Sequence, residues 1–441
     1  MGKVIYPVKP LEHLLHLEAP PFNAPALGAQ WPSSNVRVSM ARVERRWDTQ
    51  TYRTLADGDV VQYCPIFKMS DGTYALLALT NTDLIIVRPD AGETYSYLTD
   101  SYKTGTISDI SGYTVTGVGT AWLSSGLNPG DKFVLDADLS AKVEPDTHWA
   151  TIASIDTDTR IFLTDVYTGT LGTPTPATYR ARKVYACPEG ERWQYAVVAG
   201  KFCFTNSNCN AQYWDGIDPE LTTPAGDHFA KDIDVVHARQ AKYCIGYANR
   251  LILADLYNAD IAAVDHWLVR TSAEGDPLNY TDSTAVDYWK EETQEPICGL
   301  GVSMGQLVVY KKTMYYFGSL TGTATDPLSF KGPYVGVGLY APYSLVNIVG
   351  NNAWLGADDF YIMNGDVATS IGGSIRHKFF SIVNEDQLSR VFGMNSIRHS
   401  EALWVADTSE GQKVIVFNYK ENQWGMYDFS PALTGVGGLG F

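Results

Sequence analysis

The chain of 441 residues is short of cysteine, of basic charge and of long apolar segments. Its six cysteines are too few for a disulfide scaffold, and most lie in apolar strand-like runs, so we expect buried, reduced thiols. Lysine and arginine number 33 against 49 aspartate and glutamate, and the net charge of −16 excludes a protein that binds phosphates through a basic surplus. A transmembrane helix needs about 20 consecutive apolar residues. The longest comparable run, Tyr74 to Leu79, has only the length of a strand.

The first residues carry no recognisable targeting signal. Met1 to Val8 lacks the apolar stretch of a signal peptide, and Tyr6 stands where a myristoylation motif has serine or threonine. The following residues are rich in proline, and only Leu11 to Leu17 has the pattern of a short helix. We therefore expect a proline-rich N-terminal arm over residues 1–34 that lies on another surface, in a protein made in a reducing cytoplasm.

Aromatic residues are abundant, with 11 Trp, 27 Tyr and 16 Phe, and they exclude a disordered chain. From residue 35 onward, short runs rich in Val, Ile, Tyr, Trp and Thr alternate with Gly, Asn, Asp and Pro turns. Helical periodicity is confined to the stretches around Ser374 to Asn384 and Asp386 to Val391. This pattern predicts an all-β protein.

A unit made of a turn, an apolar strand and a second strand recurs six times along the chain. The last four instances begin at Asn249, Gly305, Asn352 and Leu403, so they follow one another at nearly constant spacing. A period of about 40–50 residues with several strands per unit is typical of a β-propeller, because a single blade cannot bury both its faces alone. We predict a propeller of about six blades.

One interval between these units, from Thr80 to Trp193, is about twice as long as a blade. Removing residues 103–182 restores the spacing. The removed stretch is rich in Thr, Gly and Asp and reads as alternating short strands, so we predict a small inserted β-barrel on a blade loop. The predicted organisation is an arm (1–34), a propeller (35–102 and 183–441) and an inserted domain (103–182).

Two motifs that suggest chemistry do not fit this organisation. Gly301-Val-Ser303-Met-Gly305 has the spacing of a hydrolase nucleophile elbow, but the residues after it form a strand, whereas the elbow needs a helix. His13 and His16 are one helical turn apart in the arm, and a zinc site would need a third ligand and a shaped pocket.

Other candidate sites are incomplete in the same way. Asp156-Thr-Asp158 begins like a calcium loop, but Arg160 stands where the third oxygen ligand belongs. Incomplete signals of the same kind are Asp136 with Asp138, Cys203 with Cys209, and Gly336 with Gly338. We predict no catalytic, cofactor-binding or metal-binding residues and no enzymatic activity. A cluster of early arginines is either a basic stripe for an acidic neighbour or a solvated strand face; it consists of Arg37, Arg42, Arg45, Arg46 and Arg53.

Several blade segments resemble a known family. Ile297 to Gly301, Gln306 to Lys311 and Met314 to Gly318 look like a blade of bacteriophage tail propellers. The likeness continues through Arg270 to Tyr280, Val335 to Gly338, Ala353 to Gly356, Asp359 to Gly365 and Ile371 to Gly373. The family is the tail hub, or nozzle, protein of short-tailed, podovirus-like phages, also called the packaged-DNA stabilisation protein. Val115 to Trp122 and Pro129 to Asp131 resemble a small β-domain common in phage structural proteins.

The resemblance implies a homo-oligomeric ring, usually a hexamer, at the distal end of a phage tail. Such a ring continues the DNA channel, retains the packaged genome and lets it exit during ejection. The implied partners are the tail adaptor ring, a tail fibre, spike or plug protein, and DNA that passes without sequence-specific contact. The implied location is the virion tail, assembled in the host bacterial cytoplasm without membrane insertion. An acidic wall suits this task, because it repels phosphates.

Two alternatives from other classes remain open. One is a propeller that binds host glycans or a receptor, through its loops or through Trp122. The other is a propeller enzyme that acts on polysaccharide, although the repeated Ser-x-Asp-x-Gly boxes of sialidases are absent from the sequence. Ring formation supports the tail hub, glycan binding by the monomer supports the second class, and turnover abolished by one acidic substitution supports the third.

Overall fold

The computed structural model describes residues 61–88, 94–138, 149–169, 176–187, 190–219 and 227–428, and the backbone of three short strands at 36–39, 42–45 and 438–439. The predicted arm, 1–34, with His13 and His16, lies outside the described residues, as do Arg46 and Arg53. Of the remaining early arginines only the backbone is described, so the predicted basic stripe stays a prediction.

The described strands form six small sheets arranged as a six-bladed β-propeller, which confirms the predicted all-β propeller. A hairpin of β1 (Val36–Ser39) and β2 (Arg42–Arg45) precedes the blades. Blade 1 contains β3 (Val61–Cys64), β4 (Ile66–Lys68), β5 (Tyr74–Thr80), β6 (Leu84–Arg88) and β7 (Thr94–Tyr97). A separate sheet contains β8 (Ser101–Tyr102), β9 (Thr106–Ser111), β10 (Thr114–Val118), β11 (Lys132–Leu135), β12 (Ala150–Thr157), β13 (Arg160–Leu163) and β14 (Tyr179–Arg182).

The other blades follow in chain order. Blade 2 contains β15 (Gln194–Val198), β16 (Lys201–Thr205), β17 (Gln212–Trp214) and β18 (Lys231–Asp232). Blade 3 contains β19 (Tyr243–Tyr247), β20 (Arg250–Asn258), β21 (Ala263–Thr271) and β22 (Asp287–Trp289). Blade 4 contains β23 (Ile297–Ser303), β24 (Gln306–Lys311), β25 (Met314–Thr323) and β26 (Asp326–Val335). Blade 5 contains β27 (Val346–Ile348), β28 (Asn351–Leu355), β29 (Phe360–Asn364) and β30 (Val367–Ser370).

Blade 6 contains β31 (Phe392–Ser396), β32 (Glu401–Thr408), β33 (Gly411–Asn418) and β34 (Gln423–Asp428), and β35 (Gly438–Leu439) then pairs with blade 1. The first predicted helical stretch is confirmed as α1 (Gly373–Ile382), between blades 5 and 6. The second, Glu385–Arg390, is a 3-10 helix. Shorter 3-10 helices are Trp122–Ser124, Asp136–Asp138, Pro342–Ser344 and Ile397–His399.

The second strands of the blades are buried on both faces, because each is sandwiched between two neighbouring blades. In β24, for example, every residue from Leu307 to Lys311 is buried. In the sequence, a strand of this kind is a continuous run of apolar residues and does not alternate between apolar and polar residues. Four tryptophans are fully buried in the blades: Trp193, Trp214, Trp354 and Trp404.

The separate seven-stranded sheet lies in the connection between blade 1 and blade 2. Its core contains Trp122, whose indole N–H donates to the Tyr179 hydroxyl at 2.9 Å. Trp122 is fully buried. The hypothesis that Trp122 presents its ring to a glycan is therefore wrong, because the ring fills the core of its own sheet.

Candidate functional site on the propeller axis

The first strands of the blades surround the axis of the propeller. β15, β19, β23, β27 and β31 each lie against the next, and Tyr63 of β3 packs edge-on against Tyr195 of β15. We call the end at which these strands begin the entry face, and the end with the turns between first and second strands the turn face. Both ends of the axis carry features that bear on function.

At the entry face, Arg192 precedes β15 of blade 2 and contacts blades 1 and 6. Its guanidinium donates to the backbone oxygen of Gln62 in blade 1 at 3.3 Å and lies 3.6 Å from the ring centroid of Phe392 in blade 6. Burial lowers the pKa of Arg192 to about 10. Burial also raises the pKa of the neighbouring Tyr343. One cation, two aromatic rings and a backbone carbonyl therefore lie together at the entry face.

Beside Arg192, a chain of polar contacts joins blades 2 and 3. Glu191 accepts a hydrogen bond from the Ser207 hydroxyl and forms an ion pair with Lys242 at 3.1 Å. The Lys242 backbone N–H donates to the backbone oxygen of Asp255. Each carboxylate and ammonium group in this cluster has an opposite partner, so the cluster links the two blades.

Asp255 sits at an irregularity in the pairing of β20 with β21 and has a positive φ of 53°. Its carboxylate lies 2.6 Å from Nδ1 of His266, and half of the His266 side chain is exposed. Burial raises the pKa of Asp255, although His266 opposes the shift. A β-bulge commonly re-aims a side chain in this way. The sequence analysis missed this pair, because Asp255 and His266 belong to different strands.

The serine of the Gly-x-Ser-x-Gly motif, Ser303, is part of the packing between blades. Ser303 is a buried residue at the end of β23, and a strand follows it, as the sequence predicts. Gly301 is required because a side chain there would collide with Asn352 of blade 5. Gly305 is at a turn with φ of 77°, which favours glycine. The Gly-x-Ser-x-Gly spacing therefore arises from blade packing and a tight turn.

The acidic pairs of the inserted sheet are also structural. Asp156 forms an ion pair with Arg160, and the Asp158 carboxylate accepts the Leu123 backbone N–H at 3.0 Å. Asp136 pairs with Arg180 at 3.0 Å, and Asp138 accepts from the Tyr167 hydroxyl at 2.7 Å. Within the described ranges no three His, Cys, Asp or Glu side chains form a group that could hold a metal ion.

The cysteines are less uniformly buried than expected. All six are free; Cys203 and Cys244 are buried, whereas Cys64, Cys187, Cys209 and Cys298 are half-buried. Burial raises the pKa of Cys64 and of Cys298 to about 11. Such thiols are weakly ionised at neutral pH, so they are poor nucleophiles. In the part of the chain that the structure describes, no helix is long and apolar enough to span a membrane.

The turn face carries a depression of about 560 Å³ between blades 5, 6 and 1. Its lining residues are Tyr63, Leu345, Val346, Asn347, Val349, Gly393, Met394, Asn395, Ile397 and Tyr419. Val349 is 81 % exposed and Ile397 is 71 % exposed, which is unusual for aliphatic side chains. The Asn395 amide donates to the backbone oxygen of Asn347 at 2.8 Å, while its own buried oxygen has no partner. This depression is mostly apolar and has the size of a ligand or peptide pocket.

Comparisons with known proteins give only remote similarity to solved structures. No family model and no curated protein matches the chain. Among solved structures, apo AztD from Citrobacter koseri is 11 % identical over 85 % of this chain and 83 % of its own, with a TM-score of 0.35. A quinonprotein alcohol dehydrogenase-like protein from Bacteroides thetaiotaomicron is 10 % identical over 80 % and 81 %, with a TM-score of 0.29. The phage phi92 endosialidase is 9 % identical over 79 % and 52 %, with a TM-score of 0.26.

Proposed function

We propose that this chain is a structural component of a phage tail, whose copies form a hub or nozzle ring around the DNA channel. The observation that carries the proposal is the position of Arg192, which joins blade 2 to blades 1 and 6 at the entry face. One side chain that bridges blades 1, 2 and 6 leaves no room between them for duplex DNA, whose major groove alone is about 12 Å wide. In this proposal each propeller forms part of the wall of the DNA channel, and the channel runs between copies of the chain.

The charge and the polar contacts support the same proposal. A net charge of −16 per chain gives a ring a strongly negative wall, which repels phosphates within a Debye length of about 10 Å at 0.1 M salt. The ion pairs at the entry face are satisfied within the chain: Glu191–Lys242 joins blades 2 and 3, and Asp255–His266 lies within blade 3. The segments that resemble tail propellers, such as Ile297 to Gly318, lie on β23, β24 and β25, so the likeness concerns the scaffold. The proposal assigns no catalytic activity, cofactor or metal.

The proposed ring is a homo-hexamer in the virion tail, with the arm, 1–34, on the adaptor ring. The test is light scattering and electron microscopy of the purified full-length chain, together with microscopy of particles from the source in which this chain is identified by antibody or mass spectrometry. A ring with a central channel, located at the distal tip of a short tail, is the expected result. A chain that stays monomeric and is absent from particles would overturn the proposal.

A second candidate function is glycan or receptor binding by the propeller surface, which one residue favours. Trp289, at the end of β22, is 45 % exposed, and its indole N–H donates to the Asp265 carboxylate at 3.0 Å. An indole fixed in this way presents a rigid apolar face to solvent. Saturable binding of a host oligosaccharide by the monomer, lost in Trp289→Ala and kept in Tyr74→Ala on blade 1, would favour this candidate.

A further inference from the structure

Two lysines are buried where blade 3 meets blade 4, and only one of them has hydrogen-bond acceptors. Lys311, on β24, is fully buried, and its ammonium donates to the backbone oxygens of Lys290 and Thr293 and to the Thr293 hydroxyl. Lys290, directly after β22, is 8 % exposed, and among the described residues its side-chain nitrogen has neither a hydrogen bond nor an ion pair. A buried ammonium of this kind is costly, because nothing compensates the loss of its hydration.

Aromatic rings of blade 4 line the position of the Lys290 nitrogen. This nitrogen lies 4.2 Å from the ring centroid of Phe330 on β26 and 5.6 Å from that of Tyr316 on β25. The Lys311 nitrogen lies 5.8 Å from the centroid of the same Tyr316 ring, so the two amines share one ring. An apolar wall and a second cation both disfavour the protonated form of an amine, and both make it a better nucleophile.

The electrostatics of the two lysines agree with this geometry. Burial lowers the pKa of Lys290, and Glu292 opposes the shift. Burial also lowers the pKa of Lys311; Glu292 and Glu295 oppose this shift, and the charge of Lys290 adds to it. The oxygen acceptors around Lys311 hold its proton, whereas the Lys290 nitrogen lies against rings. Lys290 is therefore the amine of the pair that is better placed to react.

The segment that carries Lys290 reaches the surface on both sides of it. Trp289, which precedes Lys290, is 45 % exposed, and Glu291 and Glu292, which follow it, are exposed. The Tyr316 hydroxyl donates to the Glu292 carboxylate at 3.0 Å. A small molecule thus meets an exposed indole and a carboxylate at the edge of the site before it reaches the amine.

We infer that Lys290 is a nucleophilic amine that forms imines with small aldehydes. The unprotonated nitrogen adds to the carbonyl carbon, so that a C–N bond forms and gives a carbinolamine. The carbonyl oxygen then leaves as water together with both amine hydrogens, and a C=N bond remains, so the step needs neither an oxidant nor a reductant. Loss of water requires proton transfer, which the Glu292–Tyr316 pair offers at the edge of the site. This inference goes beyond the proposed function and does not rest on it.

Reductive labelling of the folded full-length chain tests the inference. Propanal with sodium cyanoborohydride at about pH 6.5 traps an imine as a stable N-propyl group, which mass spectrometry of peptides locates. Lys290 is expected to be labelled at least about tenfold faster than two controls, because more of it is unprotonated. Lys331, on β26, is 74 % exposed. Lys312 is exposed and stacks on Tyr340 at 4.4 Å, so it controls for stacking without burial.

The same labelling in concentrated urea shows whether the fold causes the difference. The three lysines are expected to react at similar rates in the unfolded chain. A rate for Lys290 in the folded chain that is equal to or below those of Lys331 and Lys312 would overturn the inference. So would a Lys290 preference that persists unchanged in urea.

Substitutions of Phe330 separate a reactive amine from one that is merely accessible. Phe330→Ala opens the wall to water, so the labelling rate of Lys290 should fall towards that of Lys331, and the pH of half-maximal rate should move upward. Phe330→Leu keeps an apolar wall and should retain the parent rate. Lys312 should react at the parent rate in both variants, which reports an intact blade 4. Labelling of Lys290 that is unchanged or faster in Phe330→Ala would contradict the inference.

Discussion

Arg182 and Asp83 form a buried ion pair that fastens the inserted sheet to the propeller. Arg182 ends β14, and Asp83 lies between β5 and β6 of blade 1. Both terminal nitrogens of the Arg182 guanidinium donate to the Asp83 carboxylate, and the Nη2–Oδ2 distance is 3.1 Å. Both side chains are almost fully buried. The guanidinium also stacks on Tyr97 at 3.9 Å and on Trp149 at 4.6 Å from the ring centroids. The two units are thus joined by charge as well as by chain connection.

This pair gives the first prediction. Asp83→Asn leaves the Arg182 charge buried without a partner, so the free energy of unfolding should fall by about 3–5 kcal/mol. Urea denaturation checks this value. The control is Asp156→Asn, which breaks an exposed pair with Arg160 and should cost no more than about 1 kcal/mol. Equal losses in the two variants would contradict a special role for the buried pair.

The second prediction concerns the core of the inserted sheet. Trp122→Ala removes a fully buried ring and its hydrogen bond to Tyr179, and the cavity should cost about 3–5 kcal/mol. Hydrogen exchange should accelerate across residues 101–182 and stay slow in blades 3 to 5. Leu123→Ala is the neighbouring control, because that side chain is 60 % exposed. Global unfolding of the Trp122 variant would show that the sheet and the propeller form one cooperative unit.

The third prediction is a difference in pH dependence between two Asp–His pairs. Burial raises the pKa of Asp255. Asp255 therefore stabilises the folded chain below the ordinary aspartate pKa of about 3.9. This contribution is lost as the pH rises through the pKa that Asp255 has in the folded protein. The pKa of Asp234 is lowered, because hydrogen bonds from His237 and the backbone outweigh burial. Its contribution is present above about pH 3.9 and is lost as the pH falls through the folded value.

The measurement is the free energy of unfolding between pH 3 and pH 6 for the parent chain, Asp255→Asn and Asp234→Asn. Relative to Asp255→Asn, the parent should lose stability as the pH rises. Relative to Asp234→Asn, it should gain stability over the same range. Parallel curves for the two variants would refute the assignment of opposite shifts.

The fourth prediction separates the stability of the single propeller from the passage of DNA. Arg192→Ala removes the contact with Phe392 and the hydrogen bond to Gln62, so stability should fall by about 1–3 kcal/mol. The control Arg239→Ala removes a cation that stacks on Tyr257 away from the axis, and should cost less. If DNA passes between copies, rings of the Arg192 variant keep the channel diameter of the parent in electron micrographs. A widened or lost channel would contradict a path between copies.

The sequence by itself determined the strands and their repetition. Leu307 to Tyr310 reads as a buried strand because burial on both faces demands a continuous apolar run, and Gly301 and Gly305 mark packing and a turn. These signals are local, since a strand and its turn are encoded within a few residues. The spacing of the repeats then indicates how many blades the chain can form.

Only the tertiary structure decided what lies at the axis and at the junctions. Arg192 meets Phe392 because closing a circle of blades brings together residues that are far apart in the chain, and Arg182 meets Asp83 because the inserted sheet packs against blade 1. Trp122 could be exposed or buried according to the sequence, and the packing of its sheet buries it. The periodicity of a sequence shows which face of a strand is covered. Which residue covers that face depends on how the blades pack into a circle. No local pattern contains that information.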